Sequence, residues 1–122
     1  MERVDFLPLG SVCRVKGIDG RMMVIARGEQ VGFPDGPRYF DYGGCLWPEG
    51  LVGDRMAYFN REGIVEVVRR GFSDEEDREY VKKTNDAIAQ IDLPRGNPPE
   101  DVQDAEQSDG TGRSAVDVNQ EV

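Results

Sequence analysis

Polar and apolar residues alternate along Ser11-Val12-Cys13-Arg14-Val15-Lys16, and Leu7 and Leu9 extend the Cys13 and Val15 face backwards. That period of two predicts a half-buried β-strand. Gly17-Ile18-Asp19-Gly20 follows with hairpin chemistry, because Asp-Gly accepts the positive φ angles of a tight turn. The apolar run Met22-Met23-Val24-Ile25-Ala26 predicts a second, more central strand. Gly32 and Pro34-Asp35-Gly36 predict a loop between Gly28 and Gly36. A third strand resumes at Arg38–Tyr42, to be ended or bulged by Gly43 and Gly44. Trp47-Pro48-Glu49-Gly50 reads as a turn. Met56–Phe59 and Ile64–Val68 are a fourth and a fifth strand, joined by Asn60-Arg61-Glu62-Gly63. Five short strands at this spacing predict a small curled antiparallel sheet or an SH3-like barrel, since closure removes exposed edges.

After Phe72 the period changes. Ser73 and Glu76 fit a capping box, and Asp74, Glu75, Glu76 and Asp77 place negative charge at the positive end of a helix dipole. Val81, Thr84, Ile88 and Ile91 form one apolar stripe, Glu79 and Lys83 an i,i+4 pair, and Pro94 a stop. The expected fold class is therefore mainly β with a C-terminal α-helix over 74–92 packed on the sheet, in a single globular domain spanning 6–93. Residues 94–122 hold no aromatic residue and few large apolar ones, and predict a disordered acidic tail.

Charge is spread unevenly. Ten basic residues balance ten acidic ones through Phe72, whereas Ser73–Pro94 contributes −4 and Arg95–Val122 contributes −5 to the net −9. A neutral body with an acidic end lacks the basic patch that releases counterions from phosphates, so no nucleic acid is expected as a partner; a basic protein suits it better. No run approaches the ~20 apolar residues of a membrane span, and the N-terminus lacks the build of a signal peptide, which predicts a cytoplasmic protein without membrane insertion.

The chain contains no histidine, which removes the commonest general base and metal ligand. Cys13 and Cys45 lack metal or redox spacing, and Cys13 reads as a buried thiol on the apolar strand face. Asp41, Glu49, Asp54 and Glu62 lie in or near loops, but no spacing singles out an acid–base pair. No catalytic residue, metal or cofactor is expected. The remaining candidate is aromatic. On a regular strand Phe40 and Tyr42 face one side and Tyr39 the other, so one sheet face cannot bury them all. Tyr39, Tyr42 and Trp47, with the turn Pro48-Glu49-Gly50, are the expected partner-binding residues. An aromatic core with the Trp-Pro turn packed on the sheet is the competing reading.

The chain also resembles the domain of unknown function 4176 family. The resemblance lies in Leu7-Pro8-Leu9-Gly10-Ser11-Val12, Lys16-Gly17, Met23–Arg27, the block Tyr39–Gly50, Tyr58-Phe59-Asn60, Ile64–Val68 and Gly71–Glu76. The block departs from the pattern at Phe40, inserted before Asp41, and at Trp47, which stands where Tyr is expected. Members are similar to small cytoplasmic proteins encoded beside Gram-positive type VII secretion systems and LXG-type toxins. The resemblance implies a non-catalytic accessory or targeting factor whose partner is an LXG-type toxin or its helical partner. An immunity protein that binds and neutralises a toxin domain is the alternative, and an RNA-binding small barrel a third class.

Overall fold

The computed structural model describes residues 2–96. Five strands, β1 (Val12–Val15), β2 (Arg21–Phe33), β3 (Gly36–Trp47), β4 (Ala57–Phe59) and β5 (Ile64–Arg69), precede one helix, α1 (Glu75–Ile88). They form a single sheet in the order β4-β3-β2-β1-β5, with every strand pairing antiparallel. The sheet is open. Its edge strands β4 and β5 are separated by three others, so of the two predicted architectures the curled sheet is realised and the barrel is not.

The predicted loop from Gly28 to Gly36 is instead the far half of a long hairpin. β2 and β3 pair from Arg21 opposite Trp47 to Phe33 opposite Gly36, leaving Pro34 and Asp35 as the connection. Val31 and Phe33 are buried with Phe40 and Tyr58 in a second apolar cluster, and that packing outweighs the turn preference of the glycines. Gly28 adopts a φ of +68°, and a Cβ there would lie 3.1 Å from Thr84 Cγ2. The glycine thus lets α1 approach the sheet. Gly43 and Gly44 do not end β3 either. The ladder shifts register opposite them, between Val24 and Ala26, and a Cβ on Gly44 would come within 2.7 Å of the Met23 carbonyl oxygen.

The helix begins one residue later than its capping box suggested. Asp74, not Ser73, is the N-cap: its Oδ1 accepts from the Asp77 N–H at 2.9 Å, and the Ser73 hydroxyl donates to the Asp77 carboxylate at 2.8 Å. Aspartate caps as well as serine does, so a Ser-Asp pair leaves the choice to tertiary contacts. The helix also ends at Ile88, a turn short of residue 92. Gln90 and Ile91 donate to Ala87 and Ile88 in i→i+3 bonds, and Ile91 and Leu93 pack against the core as the chain reverses.

The main core gathers Val4, Phe6 and Leu7 from the N-terminal segment, Cys13, Val15, Met22 and Val24 from the sheet, and Ile88 from α1. Two polar groups fasten that segment. Asn85, buried on the helix, accepts from Val4 N–H at 2.7 Å and donates to Val4 C=O at 3.0 Å; the Tyr42 hydroxyl accepts from Leu7 N–H at 2.8 Å. The ordered domain therefore starts before residue 6. It also passes residue 93: Tyr39 N–H donates to Pro94 C=O at 2.9 Å, and Gly96 N–H to Tyr39 C=O at 2.8 Å. The rest of the predicted tail, from residue 97, lies outside the described residues.

Candidate functional site

Two features stand out along β3 and the loops beside it, and only one of them faces solvent. The first is a polar cluster around Asp41, whose side chain is completely buried. Its Oδ2 accepts from Arg61 N–H at 2.9 Å, Arg61 Nη1 at 3.2 Å and Arg95 Nη2 at 2.8 Å. The Asp41 N–H donates to Asn60 Oδ1 at 2.8 Å, and Asn60 Nδ2 donates to Gly96 C=O at 3.1 Å. Glu62 receives Arg95 through both oxygens, at 2.8 and 3.0 Å. The short 3-10 turn Arg61–Gly63 sets Arg61 and Glu62 in place beside β3.

The electrostatics of this cluster suit a staple rather than proton transfer. The Arg95 hydrogen bonds hold Glu62 down to about 2, so it is a fixed negative charge at neutral pH. Burial, followed by the Asp41 charge beside it, pushes the Tyr39 phenol up. Of the four candidate carboxylates, Asp41, on β3, and Glu62 are thus held by guanidinium groups, while Glu49 and Asp54 are exposed. Cys13 and Cys45 are both buried and unbonded to each other; burial pushes Cys13 up to about 11 and raises Cys45 as well. Among the described residues no group of three or more His, Cys, Asp or Glu side chains could hold a metal ion.

The second feature is the far end of β3. Leu46, Trp47, Leu51 and Val52 are all exposed, Trp47 at 42%. The turn between them is closed by a Gly50 N–H to Leu46 C=O bond of 2.8 Å, with a cis Trp47–Pro48 peptide and Gly50 at a φ of +79°. Pro48 and Glu49 are exposed at its tip and Gly50 is half-buried.

The six residues expected to bind a partner are therefore divided. Tyr39 and Tyr42 are core, each almost wholly buried, and cannot serve as surface anchors; Trp47, Pro48, Glu49 and Gly50 stay together at the surface. Simple alternation failed because residues from Tyr39 to Cys45 are buried without a break, and Tyr39 and Tyr42 share one cluster while Phe40 joins the other. Tyr42 stacks on Phe59 at 5.4 Å and meets Phe6 edge-on at 5.7 Å; Phe40 packs on Tyr58 at 5.6 Å. Neither Arg61 nor Arg95 carried a sequence signal, since their roles depend on Asp41, 20 and 54 residues away.

The fold and the site define a small open-sheet α+β domain with an internal charge staple and an exposed apolar turn. The chain belongs to the family described as Domain of unknown function (DUF4176), whose model matches residues 6–80. Comparison with curated proteins and with solved structures finds no match. Among the described residues, no helix is long and apolar enough to cross a membrane.

Proposed function

We propose that this chain is a non-catalytic, cytoplasmic protein-binding factor that accompanies a type VII secretion substrate, an LXG-type toxin or its helical partner, to the export machinery. The observation that carries the reading is the exposed apolar turn Leu46–Val52, which coincides with the end of the Tyr39–Gly50 block that marks the family resemblance. A turn already closed by its own hydrogen bond loses little entropy on binding, and an exposed Trp is a common interface anchor. The secretion context rests on the resemblance read from the sequence alone.

The test is calorimetry of the chain against the separate N-terminal helical and C-terminal toxic halves of an LXG-type toxin. Binding is expected to the helical half, and Trp47→Ala should cost about 2 kcal/mol or more of binding free energy. Because Trp47 lies at the surface, the variant should retain the fold. The excess acidity of the chain favours a second reading, an immunity protein that blocks a basic toxin domain. Capture of the C-terminal half alone would select that reading.

A further inference from the structure

A second surface lies away from the Trp47 turn, where β2, the start of α1 and the segment before β1 meet around a groove of about 510 Å³. Its rim carries Phe72, 80% exposed, Tyr80, 56% exposed, and Leu9, 49% exposed, while Ile25 and Ala26 contribute apolar lining from β2. Large apolar side chains this exposed and gathered around one concavity mark a contact surface.

The groove is also acidic. Asp74, Glu76 and Asp77 of the helix start line it beside the guanidinium of Arg27. Arg27 is already committed within the wall: Nη2 donates to Asp77 Oδ1 at 2.9 Å, and the guanidinium lies 5.4 Å from the centre of the Tyr80 ring. Its Nη1 is buried with no acceptor, leaving one donor at the wall unmatched. Burial works against the charge on Asp77, but hydrogen bonds from Ser73 and Arg27 hold its pKa below the ordinary carboxylate value, so Asp77 is charged at neutral pH.

The shape of the guest follows from the sheet. β1 pairs with β2 only at Met22 and Met23, and Gly10 and Ser11 carry the contact as far as Val24. From Ile25 onward, among the described residues, no strand lies beside β2 on that flank, which is where the groove opens. An extended segment laid there could add to the sheet while its alternate side chains met Leu9, Phe72 and Tyr80.

We infer that the groove between β2 and the N-terminal half of α1 binds an extended segment of a partner protein with apolar residues flanked by basic ones. Apolar side chains fill the concavity, and Lys or Arg answers the carboxylates. The inference concerns a surface separate from the Trp47 turn and needs only that some protein partner exists.

The test uses the full chain and the synthetic peptide Lys-Arg-Leu-Thr-Phe-Thr-Leu-Lys-Arg, with a control in which Glu and Asp replace the basic flanks. The basic peptide should bind at least about tenfold more tightly than the control, and less tightly as salt rises. It should also shift the backbone amide resonances of Ile25–Glu29. Phe72→Ser and, separately, Glu76→Lys should each weaken binding by about tenfold or more; both positions are exposed, so circular dichroism should report an unchanged fold. Equal affinity for the two peptides, binding unaffected by both substitutions, or no peptide binding at all would overturn the inference. Peptide binding at the groove would support it even if neither toxin half bound the chain.

Discussion

Asp41 shows how one residue can tie distant parts of a small chain together. Its carboxylate has no solvent exposure and holds Arg61, just after β4, and Arg95, beyond α1. A buried carboxylate is tolerable only when hydrogen bonds and opposite charge replace its lost water. Truncating one partner of such a group typically costs 3–5 kcal/mol, and both arginines here keep a third of their side chains in solvent, which places Asp41→Ala near the low end, about 3 kcal/mol. Urea unfolding would measure it, and an unchanged midpoint would contradict the staple. In the sequence Asp41 is one of several carboxylates in or near loops, because nothing local identifies its partners. Asn85 escaped notice in the same way: it sits on the buried side of α1 to bind the Val4 backbone, where periodicity asks for an apolar side chain.

At the level of elements, the last described residues behave as an added piece of the sheet. Pro94 and Gly96 bond both backbone groups of Tyr39, Arg95 reaches Asp41 and Glu62, and a Cβ on Gly96 would collide with the Phe40 ring. A chain ending at residue 93 should therefore be less stable than one ending at residue 96. The difference should reach about 2 kcal/mol, or a fall of roughly 8–16 °C in thermal midpoint for a domain of this size. Equal midpoints for the two truncations would mean that 94–96 adds nothing to the domain. Strand lengths in the β2–β3 hairpin were underread for a related reason. Glycine-rich sequence looks like loop until Val31 and Phe33 find Phe40 and Tyr58, contacts that exist only once the hairpin has closed.

Across the whole molecule, ionisation should bound stability on two sides. Glu62 has a folded value of about 2 against an ordinary 4.5, so its contribution is complete above about pH 4.5 and is lost as pH falls towards 2. Asp77, also lowered, acts in the same direction. Cys13, raised from 9.0 to about 11, works oppositely: its stabilisation is complete below pH 9 and is lost as pH rises through 11. The buried phenols of Tyr39 and Tyr42, both pushed up, add to that alkaline limb. A urea midpoint measured against pH should be level near neutrality and fall at both ends. Glu62→Gln should flatten the acid limb, and a limb of unchanged slope would remove Glu62 as its cause.

Sequence alone determined the features that follow from short-range period and local chemistry. The alternation of Ser11–Lys16, the β-branched runs, the acidic first turn before Val81 and the proline near the end of the domain name a mainly β chain with one C-terminal helix, because each signal acts within a few residues of itself. The family resemblance, read over about 7–81, nearly coincides with the 6–80 that the family model matches. Tertiary structure decided which aromatic residues are core, where the sheet stops and which charges meet. Tyr39 and Tyr42 are buried because both join one cluster with Phe6 of the N-terminal segment, Phe59 of β4 and Ile88 of α1, and Arg95 belongs to the domain because Asp41 lies beside it in space. Such contacts join residues tens of positions apart, and no pattern of neighbours along the chain encodes that distance.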